Sequence, residues 1–145
     1  MDEVHTNENL RLWFLTDPDV SAIAIFGSDY LGNKATECTI YSVPSVLKSY
    51  TDVMGNISFS GKQKLDFIFA LRAPYGDDAK QNLDNLQFFD SLKEWLYEQN
   101  ISKNFPIISE GKVVSIMPVQ TQFVISASAD SAVYQMRCSL EYWRE

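Results

Sequence analysis

The residues that could carry chemistry are few and widely spaced. His5 is the sole histidine and lies near the N-terminus, whereas a histidine acting as a general base needs a buried setting and an orienting partner. Asn9 and Leu10 stand where an H-x-x-x-D-G acetyl-transfer motif would require Asp and Gly. Asp77 and Asp78 could serve metal binding or general acid–base work, but adjacent carboxylates opening a helix also cap free N–H groups and favour the positive end of its dipole. Gly27-Ser28-Asp29 is too short to form a G-x-S-x-G nucleophile elbow. Neither glycine-rich phosphate loop is present. Cys38 and Cys138, with one distant histidine, have no zinc-ligand spacing. Each cysteine sits in a strand-like run, which reads as two buried reduced thiols; a disulfide requires the two strands to be neighbours.

Two further groups admit a binding reading. Arg72 and Tyr75 bracket a strand-to-helix turn, where they could hold an anion; alternatively Arg72 pairs with a local carboxylate and Tyr75 packs over the turn. Glu94 and Glu98, four residues apart beside Gln87 and Ser91, read as a solvated helix face.

The elements that would position these groups follow from periodicity. Phe67, Phe69 and Leu71 alternate with polar or smaller residues from Leu65 to Arg72, which predicts a strand. Pro74 and Gly76 end it, and Asp77 or Asp78 begins a long amphipathic helix reaching Asn100. That helix gathers Phe88, Phe89, Leu92, Trp95 and Leu96 on one face. A short helix is expected over Asn7–Leu15, with Leu10, Trp13 and Phe14 as its stripe and Asp17-Pro18-Asp19 as its stop. Strands are expected over Val20–Phe26, Ala35–Val43, Val113–Val119, Phe123–Ala127 and Ser131–Trp143, with a short one at Ile57-Ser58-Phe59. In the last long strand Tyr134, Met136, Cys138, Leu140 and Tyr142 share a face, so Tyr142 and Trp143 cannot both bury on it. Between Ser45 and Lys64 the signals weaken, and this polar stretch around Phe59 is the candidate for a projecting loop. The pattern is α+β: one domain over residues 1–145, a mostly antiparallel or mixed sheet packed by the long helix and the short N-terminal one.

Composition narrows the class of function. A chain of 145 residues with 46% hydrophobic content can bury one sizeable core. Its net charge of -7 lacks the basic stripe of a nucleic-acid binder. The N-terminus lacks signal-peptide regions and no apolar run approaches a membrane span, so a cytoplasmic origin without membrane partner is expected.

Three stretches taken together carry a resemblance: Phe67 to Gly76, Asn85 to Asn100, and Asp130 to Tyr142. They resemble the tail terminator, or tail completion, proteins of long-tailed phages and prophages of Gram-positive hosts. The likeness runs from about Ser45 to the C-terminus, though that family more often places acidic or serine residues where Ala73 and Pro74 stand. The resemblance implies a non-catalytic virion subunit without cofactor or metal. It would form a ring, typically a hexamer, at the head-proximal end of the tail, stop polymerisation of the tail tube protein and meet the head–tail connector protein. The residues offered for such contacts are Phe59, Arg72, Tyr75, Glu94, Glu98 and Trp143, with the acidic helix face from Asp84 to Glu98 as one side of a heterologous interface. A head-side connector or minor capsid protein is the neighbouring reading, and a small hydrolase with an unrecognised carboxylate pair is the distant one.

Overall fold

The structure, a computed structural model, describes residues 6–23, 25–28, 31, 37–43, 45–74, 79–127 and 131–145. It begins with α1 (Thr6–Phe14), whose Leu10, Trp13 and Phe14 bury at the i, i+3, i+4 spacing of one helical face. The short α2 (Pro18–Ser21) follows, where a strand from Val20 to Phe26 was expected. The reason lies in Asp17-Pro18-Asp19. Asp17 accepts a hydrogen bond from the Asp19 N–H at 3.0 Å, and Pro18 at the first helical position has its φ already set for a helix. The signal read as a stop is therefore also a start.

The strand in this region is β1 (Ile25–Ser28), so Gly27 and Ser28 lie within a strand rather than in its closing turn. It runs parallel to β2 (Glu37–Ser42), which pairs antiparallel with β5 (Gly61–Pro74). The small hairpin of β3 (Tyr50–Thr51) and β4 (Ile57–Ser58) forms a separate sheet. Beyond β5 come α3 (Ala79–Ser102), β6 (Lys112–Ala127) and β7 (Ser131–Arg144). The main sheet has the order β1-β2-β5-β7-β6. It is mixed, with one parallel pair and three antiparallel ones, and with the helices it makes an α+β fold.

The two strands expected over Val113–Val119 and Phe123–Ala127 are one continuous β6. Its pairing with β7 is interrupted between Val113 and Ser115, Pro118 and Gln120, Gln120 and Phe123, and Val124 and Ser126. Such irregularities bend a strand without ending it, and Pro118 is tolerated because β6 lies at the sheet edge. The same bends, with the proline, blunt an edge that would otherwise invite pairing with another chain.

The core lies between α1, α3 and one face of the sheet. Phe67, Phe69 and Leu71 of β5 point into it beside Tyr134, Met136, Cys138, Leu140 and Tyr142 of β7. From the helices come Leu10, Trp13, Phe14, Phe89, Leu92 and Leu96. Phe88 and Trp95, expected on the same stripe, are partly buried at its margin. Trp95 lies 4.6 Å from Trp13 and 5.8 Å from Phe14, ring centre to ring centre. Phe69 meets Phe14, Phe26, Phe88 and Phe89, so one residue joins both helices to the sheet.

Polar side chains lock the layers together. Asn100 Nδ2 donates to the carbonyls of Leu96 and Ile116, and its Oδ1 accepts from the Ile116 N–H at 3.0 Å. The end of α3 is thereby tied to the edge strand. Trp13 Nε1 donates to the Asn104 carbonyl at 3.1 Å, and Asn9 Nδ2 to that of Ile107 at 2.7 Å, which straps α1 to the segment after α3. Both cysteines are buried and free, and their strands are not adjacent. Burial pushes the Cys38 thiol up to about 12, and the Cys138 thiol higher still.

Candidate interaction surfaces

The weak stretch between Ser45 and Lys64 divides in two: Ser45 to Ser60 folds as an arm, and Gly61 to Lys64, expected in the loop, is the first part of β5. Every residue from Thr51 to Ser60 is exposed. The apolar side chains among them are Val53, Met54, Ile57 and Phe59, and Val46 and Leu47 are exposed nearby. This is an apolar surface with no cover from its own chain, the kind of patch that marks a contact site.

The arm is nevertheless held in shape at both ends. At its tip Asp52 Oδ1 accepts from the N–H groups of Met54 and Asn56, each at 2.9 Å, and Asp52 Oδ2 accepts from Asn56 Nδ2 at 3.1 Å. These bonds, those from Asn56 first, hold the Asp52 carboxyl below its ordinary value. Gly55, at a φ of 84°, supplies the left-handed residue the turn requires. At the root, Gln63 is buried and every polar atom of its side chain has a use. Its Nε2 donates to the carbonyls of Lys48 and Phe59, and its Oε1 accepts from the Lys48 N–H at 2.6 Å. Tyr50 donates its hydroxyl to the Lys62 carbonyl. Lys48 lies over the Tyr50 ring, 5.2 Å from its centre.

Phe59 sits at the foot of this arm, 44% exposed. Arg144 donates to its carbonyl at 3.3 Å, which brings the end of β7 alongside. Trp143 is 53% exposed there while Tyr142 is buried, as alternation along a strand demands. Trp143 borders an open cleft of about 830 Å³ together with Leu47, Leu65, Glu110, Lys112 and Arg144. At the floor of that cleft Gly111 passes so close to β7 that a Cβ would fall 2.2 Å from the Trp143 carbonyl oxygen. Phe59 and Trp143 are thus brought to one end of the molecule.

Glu94 and Glu98 lie elsewhere, on the outer face of α3. With Asp17, Asp19 and Asp90 they line a second open cleft of about 640 Å³, where Trp95 and Tyr97 supply aromatic surface and Lys93 a cation. Lys93 pairs with Asp90 at 3.3 Å. Asp17 is 3% exposed, and its Oδ2 is buried with no hydrogen-bond donor. Burial raises the Asp17 carboxyl above its ordinary value, and the negative charges of Asp19 and Glu98 add to the rise against the backbone hydrogen bonds that oppose it. Among the described residues no group of three or more His, Cys, Asp and Glu is arranged to hold a metal ion. The carboxylates ring the cleft without converging on a point.

Arg72 stands apart from both surfaces. It lies near the C-terminal end of β5, opposite Glu37 of β2 and Val133 of β7, and its guanidinium donates to Ser131 Oγ at 3.4 Å. Tyr75, like His5, Asp77 and Asp78, falls outside the described residues. Sequence reasoning missed Asp17 and Asp19, which passed for a helix stop. It also missed Gln63 and Asp52, whose roles depend on which backbone groups a fold leaves open. The apolar run Val53-Met54 between polar residues was the available signal for an exposed contact surface.

No family model matches the chain. No curated protein matches it either. One solved structure superimposes over 96% of this chain and 92% of its own, at 12% identity and a TM-score of 0.43. A likeness that slight carries no argument about fold or function.

Proposed function

We propose that this chain is a non-catalytic assembly subunit of a long-tailed phage or prophage, a tail terminator that closes as a ring on the head-proximal end of the tail. The observation that carries the reading is the arm from Ser45 to Ser60: exposed apolar side chains on a hairpin whose tip and root are both fixed by hydrogen bonds. A surface organised in advance loses less freedom when a partner covers it. A subunit that joins its copies in a ring on a tube end needs such a surface, one that is apolar yet kept apart from its own core. The resemblance carried by Phe67–Gly76, Asn85–Asn100 and Asp130–Tyr142 supplies the kind of assembly. In this role the subunit stops addition of tail tube protein and offers a face to the head–tail connector, first in the host cytoplasm and then in the virion.

Electron microscopy of the purified protein, alone, mixed with tail tube protein and mixed with tailless heads, tests the proposal. Rings capping one end of tubes, with tube growth arrested, are expected. Binding to head vertices with bare tube ends would move the protein to the head side of the joint. Absence from both would remove the assembly reading.

A further inference from the structure

We infer that the arm of one copy docks in the acidic cleft between α2 and α3 of the next copy, with the arm's lysines meeting the carboxylates of that cleft. The inference rests on the ring reading and names its contact. The arm and the cleft share no lining residue, so a contact between them joins two different faces. Heterologous contacts of this kind propagate from copy to copy and close into rings when the rotation permits.

Charge complementarity selects the second copy as the occupant. The chain carries a net charge of -7, yet from Ser45 to Lys64 its charged residues are Lys48, Lys62 and Lys64 against Asp52 alone. Lys48, Lys62 and Lys64 border one side of the arm's root, beside Val46 and Tyr50; Lys62 pairs with Glu141 of β7 at 3.1 Å, so Lys48 and Lys64 are the cations offered to the cleft. The cleft presents five carboxylates, Asp17, Asp19, Asp90, Glu94 and Glu98, with Lys93 as its cation. Trp95 and Tyr97 offer it apolar and π surface, which suits both an ammonium group and the arm's aliphatic side chains.

Asp17 points independently to a cationic ligand. It lines the cleft with its Oδ2 buried and lacking a donor, and buried carboxylate oxygens are ordinarily satisfied. An ammonium group in the cleft supplies compensating charge to Asp17 across its cover, while Oδ2 itself stays sealed. On the other partner, the hairpin is fixed at tip and root but leaves Val53, Met54 and Ile57 exposed, and a neighbouring copy covers them.

Two variants of the full chain test the contact by sedimentation at physiological ionic strength. The first, Lys48→Glu with Lys64→Glu, makes arm and cleft both acidic. The second, Asp90→Lys with Glu94→Lys and Glu98→Lys, leaves the cleft two carboxylates against four lysines and so makes both basic. All five positions are exposed, so both variants should melt with the wild type. Each variant alone should self-associate about tenfold or more weakly than wild type. An equimolar mixture should recover assembly, because both contacts in an alternating ring then pair opposite charges. A wild-type chain that stays monomeric at millimolar concentration overturns the contact, as does a mixture no better than its components. The same variants on tail tubes separate this contact from the reading beneath it. If the first variant alone caps tubes normally, the contact fails and the assembly reading stands. If the mixture recovers rings but neither it nor wild type caps tubes, the contact stands and the tail assignment fails.

Discussion

Asp17 shows how one residue can serve the fold and oppose it at once. Its Oδ1 caps α2 while its Oδ2 is sealed without a donor. An asparagine in its place would keep the capping oxygen and discard the charge. Asp17→Asn should therefore match or exceed wild-type stability near neutral pH, whereas Asp17→Ala should lose about 0.5–2 kcal/mol. The pH dependence follows from the raised carboxyl. Between the ordinary value of 3.8 and the higher folded value, the folded chain holds the Asp17 proton more tightly than the unfolded chain does. Its contribution to stability therefore falls as pH rises through that interval, and urea melts of the Asp17→Asn variant should lack this component. Trp95 and Glu94 give a second comparison. Trp95 packs against Trp13 and Phe14, while Glu94 is exposed. Trp95→Ala should cost about 3 kcal/mol or more and Glu94→Ala less than about 0.5; the reverse order in denaturant melts would mean that the outward face of α3 has been misassigned. The helix stripe was legible from sequence because a period near 3.6 survives any tertiary context. Asp17 was not, because a D-P-D tripeptide both ends and begins helices, and the choice depends on what packs above it.

Among the elements, those with strong periodicity were foreseen best: α1, α3 and β7 lie close to their expected spans, while β5 contains the expected Leu65–Arg72 but starts four residues earlier and ends two later. The region from Pro18 to Ser28 was not, since β-branched residues such as Val20 and Ile23 suit a strand until a proline cap claims the preceding turn. The arm was recognised as a projection but not as an ordered one, because its order comes from Asp52 and Gln63 rather than from apolar periodicity. Asp52→Ala should therefore loosen the tip alone. Hydrogen exchange at the Met54 and Asn56 amides should quicken, while the melting temperature changes little, because those bonds lie in an exposed turn. Phe59→Ser acts on the same element with another readout. Phe59 is 44% exposed and absent from the core cluster, so the monomer's melting temperature should stay nearly constant while ring formation or tail completion weakens. A large loss of monomer stability would place Phe59 in the core, and unimpaired tail completion by a stable variant would take the arm out of the contact.

At the scale of the whole molecule, two electrostatic effects of opposite sign govern association, and their ranges differ. Each copy carries a net charge of -7, so approaching copies repel over distances set by the Debye length, roughly 30 Å at 0.01 M salt and about 8 Å at 0.15 M. The arm's lysines and the cleft's carboxylates attract at contact, where partial desolvation protects a pair from screening that removes longer-range repulsion. Added salt should first strengthen self-association, as the net repulsion is screened before the contact pairs are. Near 1 M, where the Debye length falls to about 3 Å, the contact pairs weaken as well, and association should decline unless its apolar part is sufficient alone. Sedimentation across a salt series should accordingly pass through a maximum. Steady strengthening to high salt would assign the contact to Val53, Met54, Ile57 and Phe59, with the lysines as bystanders. Steady weakening from the lowest salt would mean that the contact pairs outweigh the net charge at every separation, and the dilute monomer expected of an acidic subunit would then persist at high ionic strength rather than at low.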